Sequence, residues 1–386
     1  MALTDVYISP DGAGLKDGSS VDNALQAIDS GDWSTDIEGL DRADKRFIFL
    51  EGTYNCTTML LITGSAATDT APNQWVGAKS DGTILRPKFD ETGLRLDLTN
   101  YPKFVQSSNE RLFRSEEYTS YKCLSFENTN ASYSQAGVVE GGSGFQYQHW
   151  LGCRFKAAPA SNTAHIVSGR IFHMTMCEME ATTTQYESIY ENQHNTSSSL
   201  VDCRIIGGGD SGSGDGNGIE FMGTTSRFDH DIFGTVVCNV HGHGIYFDAT
   251  SEYSRFNICN NTIVNCGSNG MALARATSAA NNAISNLNNN IVFGCGGFGL
   301  KAGSGLDRQH GVQLIAAGLN TSGNLNQMNS YEDMVDVVTM STDGSDFVDY
   351  ASNDFRIKRT SPLYKILGTQ NIGAIQNEDY EFGSVS

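Results

Sequence analysis

The sequence predicts an all-β solenoid, a chain wound into short coils whose strands stack in parallel. Three observations carry that prediction: a glycine-anchored repeat, asparagine clusters placed just before apolar runs, and a composition that suits turns better than helices. Four segments align on a glycine: Gly218-Ile219-Glu220-Phe221, Gly244-Ile245-Tyr246-Phe247, Gly270-Met271-Ala272-Leu273 and Gly299-Leu300-Lys301-Ala302, recurring every 26 to 29 residues. Each glycine is followed by apolar, variable, apolar residues, the alternation of a half-buried strand. Weaker copies stand upstream at Gly144-Phe145-Gln146-Tyr147 and Ser188-Ile189-Tyr190-Glu191. A second strand-like series interleaves, opening at Cys203, Cys238, Cys259 and Asn288. The period is too short for a propeller blade of about 40–45 residues, and the leucine framework of leucine-rich repeats is missing.

Eleven asparagines fall between Asn257 and Asn290. Asparagine accepts the left-handed backbone of a sharp corner, and its amide can bond to the same residue one coil above. Glycine is frequent, at 42 residues, and proline scarce, at 6. Glycine costs about 0.8–1 kcal/mol against alanine inside a helix, so a helical bundle is disfavoured. The 37 aromatic residues supply core material that disordered chains lack.

The formal charge is −19, from 25 basic and 44 acidic side chains. Such a field repels phosphate backbones and anionic lipid, so neither nucleic acid nor membrane is an expected partner. No run of 18 apolar residues is present, and the opening MALTDVYISPDG reads as no secretory signal. The nine cysteines contain no Cys-x-x-Cys pair and recur in strand-like company at Cys123, Cys153, Cys177, Cys203 and Cys238. The expectation is reduced thiols packed inside the repeat, made in a reducing cytosol.

Three segments then carry a resemblance. VYISPDGAGLKDGSSVDNALQAIDS reads as a strand, a Gly/Asp turn and a short capping helix; RFIFLEGTYNCTTMLLI as a first coil with its G-x-Y; DFRIKRTSPLYKILGTQNIGAIQ as a terminating element. With these the chain resembles right-handed parallel β-helix proteins of the pectate-lyase-like superfamily. The resemblance spans essentially the whole chain. It implies an all-β right-handed parallel β-helix solenoid, with an N-terminal cap and first coil over 1–60, the helix over 61–325 and a closing region over 326–386. Residues 330–335 read as helical and suited to cover the last coil. These motifs recur in lyases, hydrolases, epimerases and phage spikes, so they speak to fold more than to chemistry.

Counting outward from the aligned glycines points Ile219 and Phe221 into the core and Glu220 and Met222 away from it. Tyr246 and Asp248 follow in the next coil, then Ala272 with Arg275 at the strand end, then Lys301. Upstream, Tyr190 and Asn192 take the outward positions, with Gln146 and Gln148 beyond. A stripe of this content suits a sugar chain, with Tyr190, Asn192, Tyr246, Arg275 and Lys301 binding substrate. Glu220 and Asp248, diagonal neighbours about 7–8 Å apart at Cα, form the candidate catalytic pair, within the span of about 6.5–9.5 Å that inverting hydrolases use. That site requires Glu220 and Tyr246 to be exposed and aligned.

A lyase would instead use calcium, for which Asp210, Asp215 and Asp229 are candidates, with Arg275 or Lys301 as base. The loop 207–218 matches no strict calcium repeat, so no metal or other cofactor is assigned. His241 and His243, with His230 as third ligand, make a weaker metal candidate. The expected function is a phage virion protein, tailspike-like or fibre-like, that binds a host surface glycan and degrades it if catalytic. Its partners would be polysaccharide and other virion proteins, its assembly a homotrimer, its location the virion or the extracellular space. The alternatives are a secreted polysaccharide lyase or glycoside hydrolase, and a structural β-helix without catalysis.

Overall fold

The computed structural model describes residues 3–26, 45–57, 60–62, 73–107, 111–115, 119–131, 136–141, 148–159, 165–169, 172–183, 186–192, 197–209, 216–223, 229–249, 255–274, 284–302, 313–326, 335–364 and 373–374. Its strands form three parallel sheets of eleven, eleven and ten strands, here A, B and C, and one antiparallel pair, Phe347–Asp349 with Asp354–Ile357. The chain visits A, B and C in turn and then rises one coil. A mid-stack coil runs through Ser198–Val201 in sheet A, Arg204–Ile206 in sheet B and Asn217–Gly223 in sheet C. The all-β parallel solenoid read from the sequence is therefore the observed architecture. Of the predicted capping helix, the described part is one 3-10 turn, Val21–Asn23, followed by strand Leu25–Gln26. Residues 330–334 lie outside the described residues, and Val335 opens a strand rather than ending a helix.

The corner from sheet A to sheet B is made the same way in coil after coil. One residue turns left-handed: Cys123, Gly152, Met176, Asp202, Gly234, Asn260 and Asn289 all have φ between 52° and 62°. The next residue points inward and meets its counterparts above and below, in the series Leu124, Cys153, Cys177, Cys203, Thr235, Asn261, Asn290, all buried. From Cys177 onward each side chain donates to a sheet A carbonyl of the preceding coil. The Cys177 thiol reaches Trp150 O at 3.4 Å, Cys203 reaches Met174 O at 3.5 Å and the Thr235 hydroxyl reaches Leu200 O at 3.3 Å. Asn261 Nδ2 donates to Ile232 O at 2.9 Å and Asn290 Nδ2 to Ile258 O at 2.7 Å. Their oxygens accept from the backbone below: Thr235 N on Asn261 Oδ1 at 2.9 Å, Asn261 N on Asn290 Oδ1 at 3.0 Å. Thiol, hydroxyl and amide thus fill one structural role. All nine cysteines are free and eight are buried, Cys259 being half-buried.

The aligned glycines stack as the repeat predicts. Ile219 pairs with Ile245 and Ile245 with Met271, placing Gly218 beside Gly244 and Gly270. A Cβ on Gly244 would stand 2.5 Å from Ile263 Cγ2 and 2.6 Å from Gly270 O, so only glycine lets the coils close here. Inside, the early coils are filled by aromatic ladders, Tyr54, Phe104, Phe126 and Phe155 lying face to face at 4.9–5.7 Å. The later coils carry Ile205, Val237, Ile263 and Val292 in the same column. Tyr54, from the G-x-Y of the first coil, donates to Ile8 O and Leu50 O.

Two segments cover the outer face of sheet B. Residues 79–101 fold back with bridges Ala78–Ile84 and Phe89–Leu96. Arg95 meets Glu178 and Glu180 at 3.1 Å, and Leu96 N donates to Glu178 at 2.7 Å. Arg204, buried under this segment, donates to Gly93 O and lies 4.1 Å over the Phe89 ring; burial pulls its pKa down to about 10. Farther along, Phe347, Phe355, Leu363 and Ala374 pack on Val236, Val264, Ile291 and Phe293. The terminating motif is part of that cover: Ser361 donates to Asp346 at 2.6 Å, and Ala374 N to Thr262 Oγ1 at 2.9 Å.

Among the described residues an imidazole sits in the core. His230 points inward from Asp229–Phe233, stacked on Phe256 and 4.2 Å from Phe221, with Nδ1 2.9 Å from Ser198 Oγ. Burial pushes its pKa from 6.5 down to about 3. Between those values the unfolded chain takes a proton that the folded chain refuses, so the stabilisation is complete above pH 6.5 and is lost as pH falls toward 3. Moving from pH 7 to pH 5 is expected to cost about 2 kcal/mol through this group, and His230→Phe should remove that share of the slope in urea unfolding at the two pH values. Asn261→Ala strands Thr235 N and Ile232 O in the interior; an unfolding free energy lowered by about 2–4 kcal/mol is the expected result.

Candidate functional site

The outward ladder of sheet C runs Ser168, Glu191, Glu220, Tyr246, Ala272, Lys301, each paired with the next across adjacent coils. A second outward row lies three residues earlier in the chain: His165, Ser188 and Asn217 pair in register, followed by His243 and Asn269. The two residues between the rows point inward, as Ile189 with Tyr190 and Gly218 with Ile219 do.

Two carboxyl groups therefore meet on neighbouring coils. Parallel strands lie about 4.8 Å apart, so Glu191 and Glu220 project side by side at close to that spacing. Both are almost fully buried, at 1% and 3% exposure. Glu191 Oε2 accepts from Ser168 Oγ at 3.0 Å and lies 3.2 Å from His165 Nε2. His165 Nδ1 is 2.7 Å from Ser188 Oγ. Burial lowers the His165 pKa to about 4, so near neutrality the ring is uncharged, giving Nε2–H to Glu191 and accepting the Ser188 hydroxyl. Glu220 Oε2 accepts from Asn217 Nδ2 at 3.2 Å, and Asn217 Oδ1 is fixed by His243 N at 2.9 Å. On the other side of Glu220, Tyr246 is half-buried and stacks on His243 with ring centroids 5.1 Å apart. Asn269 holds His243 from behind, its Nδ2 3.1 Å from Nδ1. The array offers a carboxyl pair, a set of fixed donors and an aromatic platform.

The structure brings Glu220, Tyr246 and Lys301 onto one ladder, with Lys301 exposed two strands beyond Tyr246. Glu220 departs from expectation in one respect. Ile219 and Phe221 flank it inside the core, so its register is as read, yet its side chain is buried among its neighbours, and the exposure that the Glu220–Asp248 site requires is not met. Asp248 pairs with Met222, which makes it the diagonal neighbour of Glu220; its side chain, like Arg275, Asp210, Asp215 and Gln146, lies outside the described residues. Tyr190 and Asn192 are corrected. Tyr190 pairs with Ile219 and Asn192 with Phe221, so both point into the core, at 0% and 1% exposure. The upstream coil has Ile189 where the later coils have the aligned glycine, and aligning Ser188 to Gly218 slipped the register by one. A one-residue slip exchanges the faces of a strand. Glu191, the partner of Glu220, was hidden by the same slip. Gln148 belongs to sheet A and points inward. His230 is walled off in the core, away from His241 and His243. Among the described residues no group of three or more metal-ligating side chains is present.

Neither protein-family models nor characterised proteins match the sequence. By structure, the chain is similar to the crystal structure of pectate lyase Pel9A, with a TM-score of 0.55 over 97% of this chain and 96% of that one, at 14% sequence identity. The likeness speaks for the fold, a pectate-lyase-like right-handed β-helix.

Because Tyr190 is core and not groove, Tyr190→Ala should lower unfolding stability by about 3–5 kcal/mol, the range for truncating a buried aromatic. Denaturant unfolding checks this; unchanged stability would return Tyr190 to the surface.

Proposed function

We propose that this protein acts on a polysaccharide, which lies along the outward face of sheet C and is hydrolysed between Glu191 and Glu220. The observation that carries the proposal is the in-register pairing of those two carboxyl groups. Retaining glycosidases hold their carboxyls about 5–5.5 Å apart, close to one strand spacing, whereas inverting enzymes need about 6.5–9.5 Å. In this reading Glu191, which accepts from Ser168 and His165, is the carboxylate that attacks. Glu220 is the acid that protonates the leaving oxygen and then the base that takes a proton from the water that releases the sugar from Glu191. Tyr246, backed by His243, gives a sugar ring a face to stack on, and Lys301 extends the groove.

The fold shared with a pectate lyase supports the polysaccharide lyase or hydrolase alternative more than the virion reading. The proposal places the protein outside the cell, free or carried on a particle. Its free thiols support synthesis in a reducing compartment. A second reading, glycan binding without cleavage, is favoured by the burial of both carboxyls.

The test is a panel of polysaccharides assayed for new reducing ends and for unsaturated products. Hydrolysis predicts the former alone. Glu191→Gln and Glu220→Gln should each lower turnover by at least about a hundredfold while binding persists. Tyr246→Ala should weaken binding by roughly 1–3 kcal/mol. Binding without products establishes the second reading, unsaturated products a lyase, and turnover indifferent to both glutamates overturns the site.

A further inference from the structure

The outer face of sheet A carries a separate constellation. His149 and His173 occupy the same position on adjacent strands, Gln148–Leu151 and Phe172–Thr175, and pair directly across the ladder. Their rings are stacked, centroids 5.1 Å apart and planes within 25°. His149 is exposed and His173 half-buried. In the next coil Ser199 pairs with His173, and its Oγ lies 2.8 Å from His173 Nδ1. One coil farther, exposed Asp231 is held by Asn257 Nδ2 at 2.7 Å.

We propose that His149 and His173 form a two-imidazole site for a late first-row transition-metal dication, copper(II) above nickel or zinc. Imidazole suits these metals, and copper binds most tightly among them. Metal–nitrogen bonds are about 2.0–2.1 Å long, so the two rings, one strand apart, must rotate out of their stack for both Nε2 lone pairs to converge on one ion, and the exposed His149 ring is the one with room to do so. A ligating histidine characteristically gives its other ring N–H to an oxygen, which sets the tautomer; Ser199 Oγ stands where that oxygen is needed. Asp231, about two strand spacings from His173, adds negative charge on the same row. With two protein ligands, water completes the coordination, so the ion is exchangeable and not a folding element.

The experiment is calorimetric titration of the full chain, without a histidine tag, with copper(II) and nickel(II) salts alone. The copper adduct is also examined by electron paramagnetic resonance. One ion per chain with hyperfine structure from two nitrogens is expected. His149→Ala and His173→Gln should each weaken binding at least tenfold, and Ser199→Ala about tenfold, the lower end for losing an oxygen that orients a ligating imidazole. Unfolding curves of the variants guard against misfolding. His241→Ala/His243→Ala should leave the affinity unchanged. Binding that survives both sheet A substitutions, or that disappears with His241 and His243 instead, overturns the proposal.

Discussion

Each paired strand residue of the three parallel sheets sits about 4.8 Å from the residue at its own position in the neighbouring coil. A side chain must therefore tolerate near-copies of itself on two sides. Aromatic rings meet the demand by stacking and aliphatic chains by packing. Amides meet it because each carries donor and acceptor, as Asn261 and Asn290 show. Charges meet it only by alternating, as Arg154, Glu178 and Arg204 do on sheet B. Glu191 on Glu220 departs from the rule, since two carboxylates directly opposite would repel unless one holds a proton. The surrounding Ser168, His165 and Asn217 brace the two carboxyl groups with hydrogen bonds.

The three outer faces have different fates. Sheet B is covered in part, first by the ion-paired segment 79–101 and then by the apolar closing segment. Sheet C presents a floor of closely packed polar groups with a half-open aromatic edge. Sheet A keeps polar rows open, among them the histidine pair.

The fold was legible because its signals are local: glycines at a fixed period, asparagines at corners, and motifs at both ends. Glu220, Tyr246 and Lys301 were placed on one ladder because the glycine anchor persists from Gly218 to Gly299. It lapses upstream, where Ile189 takes the slot, and there Tyr190 and Asn192 were turned to the wrong face and Glu191 was lost. The usable signal was in the chemistry of the segment: Ser188, Ile189, Tyr190, Glu191 reads equally well as two inward residues between two polar ones. Burial of Glu220 had no sequence signature, because it depends on neighbours from several coils.

Solenoids are built from contacts between neighbouring coils, so in the simplest case each coil melts according to its own interfaces and those beside it. The segment 79–101 changes that connectivity. Gly93 holds Arg204 across 111 residues of chain, and Arg95 and Leu96 hold Glu178 across more than 80. A coil in the middle of the stack cannot loosen without releasing a strap anchored in the first coils. The early half of the rod is thereby coupled into one cooperative unit, resisting the end-inward fraying that a bare stack of repeats would show.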